Sequence, residues 1–150
     1  KRKVVIQSYK ILLREKKNIY FSEFLSHARY AGPREAMLHA LIRKNYGCSH
    51  FLIGRDHAGV GSFYKKYESQ LKCKNKEKKI GINILAFKEP YYCKNCNKMN
   101  STNGECGHTK KNKIFLSGTY IRKLIKMGKK IPSYYLNSKI NKILNTNSLR

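Results

Sequence analysis

Apolar and polar positions follow two rhythms along this chain. Val4, Ile6, Ile11 and Leu12 fall near helical spacing, so residues 4–15 are expected to form a first helix. Residues 18–25 read as a short strand and its loop. Gly32-Pro33-Arg34-Glu35 then opens a second helix, because proline suits the first helical turn and glutamate complements the positive helix end. Met37, Leu38, Leu41 and Ile42 supply its apolar stripe, and Gly47 is a natural stop. Residues 49–53 (SHFLI) are a short apolar run between glycines, as expected of a buried parallel strand. That strand runs directly into Gly54-Arg55-Asp56-His57-Ala58-Gly59-Val60-Gly61, with a helix expected from there to about Leu71.

After a lysine-rich loop, residues 80–87 (IGINILAF) read as a second core strand. A cysteine cluster fills 91–110, and residues 113–116 predict another short strand. Ser117-Gly118-Thr119 caps a helix carrying Ile121, Leu124 and Ile125, which Gly128 ends. Pro132 turns the chain into a last short helix over residues 138–144. Strands alternating with helices imply an α/β fold with a parallel sheet and a small insert. Ligands of such sheets sit at the carboxyl ends of strands, where loops 54–61 and 116–122 are both expected.

Composition changes the picture mainly through charge. There are 33 basic and 8 acidic residues, a net charge of +25, which draws polyanions in general. The lysines are also spread from end to end, so compositional drift accounts for the excess as well as a binding surface does. Asp56 stands out as the only aspartate. With 41% apolar residues and eleven tyrosines, 150 residues suffice for one domain with a core. No run approaches the roughly 18 apolar residues of a membrane span, and no signal pattern opens the chain. A cytosol-like chain without membrane partners is expected. The start at Lys1-Arg2-Lys3, without methionine, suits a fragment or a processed product.

Five cysteines without secretory features argue against a disulfide framework. Cys93-x2-Cys96-x9-Cys106-x-His108 has the donors and spacing of a closed tetrahedral zinc site, with His108 the weakest member because its spacing from Cys106 is tight. Unligated surface cysteines are the alternative. Cys48 is expected in the core and Cys73 in the lysine-rich loop.

A glycine-rich loop between strand and helix offers free N–H groups to an anion, and Arg55 adds a planar fork for phosphate or sulfate. The competing reading pairs Arg55 with Asp56 and leaves His57 as a packed loop residue. In loop 116–122, Ser117 and Thr119 supply hydroxyls at a helix start and Arg122 returns on the Thr119 face; an ordinary capped helix is the alternative.

Ala31-Gly32-Pro33-Arg34-Glu35-Ala36, His39-Ala40, residues 43–51 (RKNYGCSHF) and GRDHAGVG at 54–61 resemble the ATP sulfurylase signature. The resemblance continues through Tyr64, Gln70, the cysteine knuckle and Leu116-Ser117-Gly118-Thr119, from about residue 4 to about residue 144. It implies a Rossmann-like nucleotidylyltransferase-type sheet, with the zinc knuckle at about 91–110 as an insert in a partial catalytic domain. It further implies sulfate adenylyltransferase activity on ATP and sulfate, with Mg²⁺ accompanying ATP. Gly54, Arg55, Asp56 and His57 would border the ATP, and the backbone at Ala58 would meet the sulfate. Ser117, Thr119 and Arg122 would hold the triphosphate, residues around Ala86 and Phe87 would wall the adenine, and Arg55 would be the catalytic residue. A similar zinc-binding insert in many bacterial and archaeal members strengthens the knuckle reading.

The family's Gln-x-Arg-Asn and His-x-x-His motifs do not occur in these 150 residues, so the missing half of the site is an expected partner, in the same gene product or a separate subunit. A homo-oligomer is compatible with the resemblance. His39, on a helix, and His50, entering a strand, read as packed or hydrogen-bonded histidines that do not replace the missing motif. Two other readings compete: a basic zinc module binding nucleic acid, and a non-catalytic remnant or subunit. The knuckle lacks the helix-borne histidine pair of base-reading fingers, so no specific nucleic-acid partner is expected.

Overall fold

The computed structural model describes residues 2–14, 16–100 and 106–147, with side chains to Leu144. They form two compact units, one of residues 26–89 and one of residues 2–25, 90–100 and 106–147.

In the 26–89 unit, α2 (Pro33–Asn45) starts at its proline and is followed by Gly47, as expected. β1 (His50–Ile53) pairs in parallel with β2 (Asn83–Ala86), with Phe51 beside Ile84 and Ile53 beside Ala86. α3 (Glu68–Asn75) packs on α2, and α4 (Glu77–Ile80) ends at Gly81, which begins the turn into β2. Ala36, Ala40, Phe51, Ile53, Cys73, Ile80, Ile82 and Ile84 form one core, with Met37 against it. Each fully buried isoleucine contributes about 1.5–3 kcal/mol relative to exposure.

Several expectations change here. Ala36 and Ala40 face the core of α2 while Leu38 and Leu41 are exposed, since two alanines one turn apart let a neighbouring element approach closely. The helix expected after Gly61 begins only at Glu68. Tyr67 donates its N–H to the Arg55 carbonyl (3.0 Å), which holds residues 62–67 in turns folded back on the loop. β2 is shorter than 80–87 because residues 77–80 are helical. Leu52 of β1 is exposed, so the strand alternates instead of being buried throughout. Cys48 is exposed and Cys73 is fully buried on α3, where burial pushes its thiol up to about 11.

In the other unit, α1 (Arg2–Leu13) packs with α6 (Ser138–Asn147). Residues 18–25 form no strand; Phe21 stacks on Tyr9 of α1, with ring centroids 5.4 Å apart, and Asn18 has a positive φ of 62°. β3 (Tyr91–Cys93) is the centre of an antiparallel sheet, flanked by β4 (Lys98–Asn100) and β5 (Lys113–Phe115). β5 was expected in the parallel sheet. Its pairing with β3 instead means that residues 116–122 do not follow a parallel strand. α5 (Gly118–Lys126) is capped as predicted: the Ser117 hydroxyl accepts the Tyr120 N–H at 3.3 Å. The fold is therefore α/β with a parallel sheet, which is two-stranded among the described residues.

Candidate functional site

Loop 54–61 leaves the carboxyl end of β1. Gln70, buried on α3, donates to the Ile53 carbonyl (2.9 Å) and the Phe87 carbonyl (2.6 Å), tying together the ends of β1 and β2. Ala58 holds φ 57°, a left-handed conformation that costs a non-glycine residue about 1–2 kcal/mol. It is held there by its carbonyl, which accepts the Gly32 N–H at 2.9 Å. Two glycines are required by contact. A Cβ on Gly59 would lie 2.1 Å from the Asp56 carboxylate, and one on Gly32 would lie 2.6 Å from the Tyr64 ring. Tyr64 and Gln70, noted in the sequence only as part of a resemblance, thus have positions in the loop's scaffold.

Arg55 does not pair with Asp56 as the competing reading had it. Its Nη1 donates to Glu89, just beyond β2, and Lys66 Nζ reaches the second oxygen of the same carboxylate at 3.1 Å. The Glu89 side chain is 14% exposed, against 43% for Arg55 and 57% for Lys66, so a mostly covered carboxylate bridges two accessible cations.

Behind the loop lies a chain of three residues. Glu35, buried at the start of α2, accepts the N–H groups of Arg29 (3.1 Å) and Ala31 (3.0 Å), which hold its pKa below the usual carboxylate range. His39 stands one turn on, its Nε2 3.8 Å from the carboxylate, and its Nδ1 meets His57 Nε2 at 3.0 Å. Burial lowers the pKa of both histidines, and the Arg43 charge adds to the fall. Ser69 donates to the His57 carbonyl at 2.9 Å, and Phe51 packs edge-on against its ring. His39 is hydrogen-bonded, as expected, while His50 is exposed and meets Ser49 at 2.9 Å. Nothing in the spacing singled out Lys66 or Glu89, and Glu35 stood out only as complementing the start of its helix and as part of the resemblance. The available signal was the scarcity of acids, which makes each carboxylate in so basic a chain worth a question.

In the other unit, Arg122 Nη2 donates to Thr119 Oγ1 at 3.0 Å beside the Ser117 cap, as their spacing predicted. Cys93, Cys96, Cys106 and His108 bring three sulfurs and a ring nitrogen within 4.8 Å of one another. His108 Nδ1 lies 3.6 Å from Cys93 Sγ and 3.3 Å from Cys96 Sγ. β3 and its turn supply the first pair, and Tyr91 anchors the third ligand: its buried hydroxyl accepts the Cys106 N–H (3.3 Å) and lies 3.5 Å from that sulfur. The Tyr91 hydrogen bond draws the Cys106 thiol down to about 6, whereas burial pushes Cys96 up to about 11. Three thiols and an imidazole so close together fit one tetrahedral soft or borderline cation, so this group can hold a metal ion.

The chain matches the ATP-sulfurylase family over residues 1–147. It is 39% identical to a sulfate adenylyltransferase of Chloroflexus aurantiacus over 145 residues, covering 94% of this chain and 38% of that protein. It is 43% identical to one from Halothermothrix orenii (93% and 37% covered) and 40% identical to one from Ignicoccus hospitalis (94% and 37%). The chain thus spans well under half the length of these relatives. Among solved structures, the hexameric APS kinase from Thiobacillus denitrificans superposes with a TM-score of 0.68 at 17% identity, covering 95% of this chain and 26% of that one, a likeness of fold alone. By the extent of the family match, the chain belongs to the ATP sulfurylase family.

Proposed function

We propose that this chain carries part of the site of a sulfate adenylyltransferase, which transfers the adenylyl group of ATP to sulfate to give adenosine 5′-phosphosulfate and pyrophosphate. One observation carries the reading. The loop GRDHAGVG, within the family match, stands at the carboxyl end of a parallel strand whose neighbour ends beside it. On this reading residues 1–150 are part of a Rossmann-like nucleotidylyltransferase-type catalytic domain of a cytoplasmic enzyme. Gly54, Arg55, Asp56 and His57 border ATP, and the Ala58 backbone meets sulfate. Ser117, Thr119 and Arg122 hold the triphosphate. The Gln-x-Arg-Asn and His-x-x-His motifs come from outside this chain.

A sulfate oxygen attacks the α-phosphorus and pyrophosphate leaves, so no protein nucleophile is required. The chain's own contribution is positioning and neutralisation of developing charge. Arg55 supplies a permanent cation with a bidentate fork, and the strained Ala58 turn orients backbone groups. Mg²⁺ bound with ATP would neutralise phosphate charge. The cysteine cluster holds a structural zinc, since all four positions are taken by protein ligands and none is left open for chemistry.

Pyrophosphate release with and without sulfate tests this in the assembled enzyme. Arg55→Ala is expected to lower turnover about a hundredfold, roughly 3 kcal/mol. Arg55→Lys should rescue poorly, because a point charge does not replace the fork. The 150-residue chain by itself should release none. Near-normal turnover in Arg55→Ala removes Arg55 from the site, and robust activity of the chain alone overturns the partial-site reading.

A further inference from the structure

The Arg55–Glu89–Lys66 arrangement has a use beyond an ion pair. Glu89 sits just past β2, Arg55 just past β1, and Lys66 in the turns that fold back on the loop. One carboxylate takes a guanidinium on one oxygen and an ammonium on the other. The edge between two oxygens of a carboxylate is nearly as long as an edge of a tetrahedral phosphoryl or sulfate group. Two cations spaced for the first are therefore spaced for the second.

The geometry points to Glu89 as a stand-in for an anionic ligand, and to Lys66 as a further residue of the anion site. A phosphoryl or sulfate group engages Arg55 and Lys66 by displacing the Glu89 carboxylate. The inference rests on the reading of Arg55 as an anion contact. It adds a second cation to that contact and a built-in competitor. The exchange is feasible because both cations are accessible from solvent, where screening weakens their hold on the carboxylate. A polyanion offers more charge and more acceptor oxygens than one carboxylate, which favours its entry. The Lys66 ammonium donates to Glu89, and it stays protonated at neutral pH once that partner is displaced. In the free protein Glu89 also keeps two adjacent cations from repelling each other.

Calorimetric titration of the chain with pyrophosphate, ATP and sulfate tests the exchange. Glu89→Gln is expected to tighten binding about two- to fivefold, and Lys66→Ala to loosen it by a similar factor. Glu77→Gln removes the same charge from another lysine pair of the unit and controls for bulk electrostatics. Glu89→Ala provides a second variant, with amide spectra checking the fold of each. A gain with pyrophosphate and ATP assigns the two cations to phosphate, and a gain with sulfate alone assigns them to sulfate. If Glu89→Gln binds all three no better or more weakly, Glu89 merely positions Arg55 and the inference falls. It falls equally if Glu77→Gln gains as much, or if neither wild type nor Glu89→Gln binds. This readout is binding by the chain, so absence of transfer in the assembled enzyme would overturn the proposed function without touching it.

Discussion

Residues 26–89 bury Ala36, Ala40, Phe51, Ile53, Cys73, Ile80, Ile82 and Ile84 in one continuous cluster. The antiparallel sheet of β3, β4 and β5 instead buries Tyr91 and Cys93, and Cys96, Cys106 and His108 gather beside Cys93. The first region holds its loop with an apolar core and with the hydrogen bonds of Gln70, Gly32 and Tyr67. The second has three short strands and little apolar interior of its own, so a metal ion on its cysteine cluster would add folding energy there. The difference separates two tasks: a parallel pair with a greasy core presents the charged loop, and a small antiparallel sheet presents a cluster that can hold a metal ion.

The largest effect that would sharpen this contrast is loss of the metal. About one zinc per chain is expected on elemental analysis of protein purified without added metal. Structural zinc contributes about 10–16 kcal/mol in small zinc-finger peptides. The Cys93→Ser/Cys96→Ser double variant should therefore lose amide protection across residues 91–100 and 106–115 while residues 26–89 keep theirs. His108→Ala should weaken zinc retention less than loss of a thiolate. Less than about a tenth of an equivalent of zinc, with the double variant as soluble as wild type, would break the comparison.

The converse variant is next in size. Ile53 is fully buried in the 26–89 core, so Ile53→Ala should cost about 2–5 kcal/mol in urea unfolding followed within that unit. Zinc content should stay unchanged. If the metal is lost as well, the two regions are not energetically separate.

The smallest effect concerns pH. His39 and His57 have lowered pKa values in the folded chain, so unfolding takes up protons as the pH falls through about 6.5, the ordinary histidine value. Their contribution is complete above that pH and is lost progressively below it, down to the folded values. Glu35, also lowered, adds a loss at more acid pH, beginning below its ordinary value of 4.5 and continuing to its folded one. Hydrogen exchange in residues 26–89 should thus show lower stability at pH 5.5 than at pH 7.5, by less than the Ile53 truncation costs. His57→Asn should flatten the profile between those values. A flat profile in wild type would show that folding shifts neither histidine's pKa.

Local features were the legible ones. Pro33 at the start of α2, Ser117 at the start of α5 and Gly128 after it are decided by a few neighbouring residues and their backbone groups. The Cys-x2-Cys turn and the placement of GRDHAGVG after a strand belong to the same class. The apolar stripe of α2 was misjudged because residue size alone favoured Leu38 and Leu41, whereas close helix packing selected Ala36 and Ala40. The helix expected after Gly61 starts late because the Tyr67 N–H is taken by Arg55, twelve residues back, an interaction no local window contains.

By itself the sequence determined the family, the four clustered metal donors and the loop at the end of β1, since each is written in contiguous residues or short spacings. Only the tertiary structure decided that β5 pairs with β3 rather than extending the parallel sheet, that Cys73 is buried and Cys48 exposed, and that Arg55 meets Glu89 instead of Asp56. These outcomes depend on partners far apart in the chain. A strand's hydrogen bonds, a thiol's burial and a guanidinium's counter-charge are set by whichever surface folds against them, and residue type and spacing do not encode that choice locally.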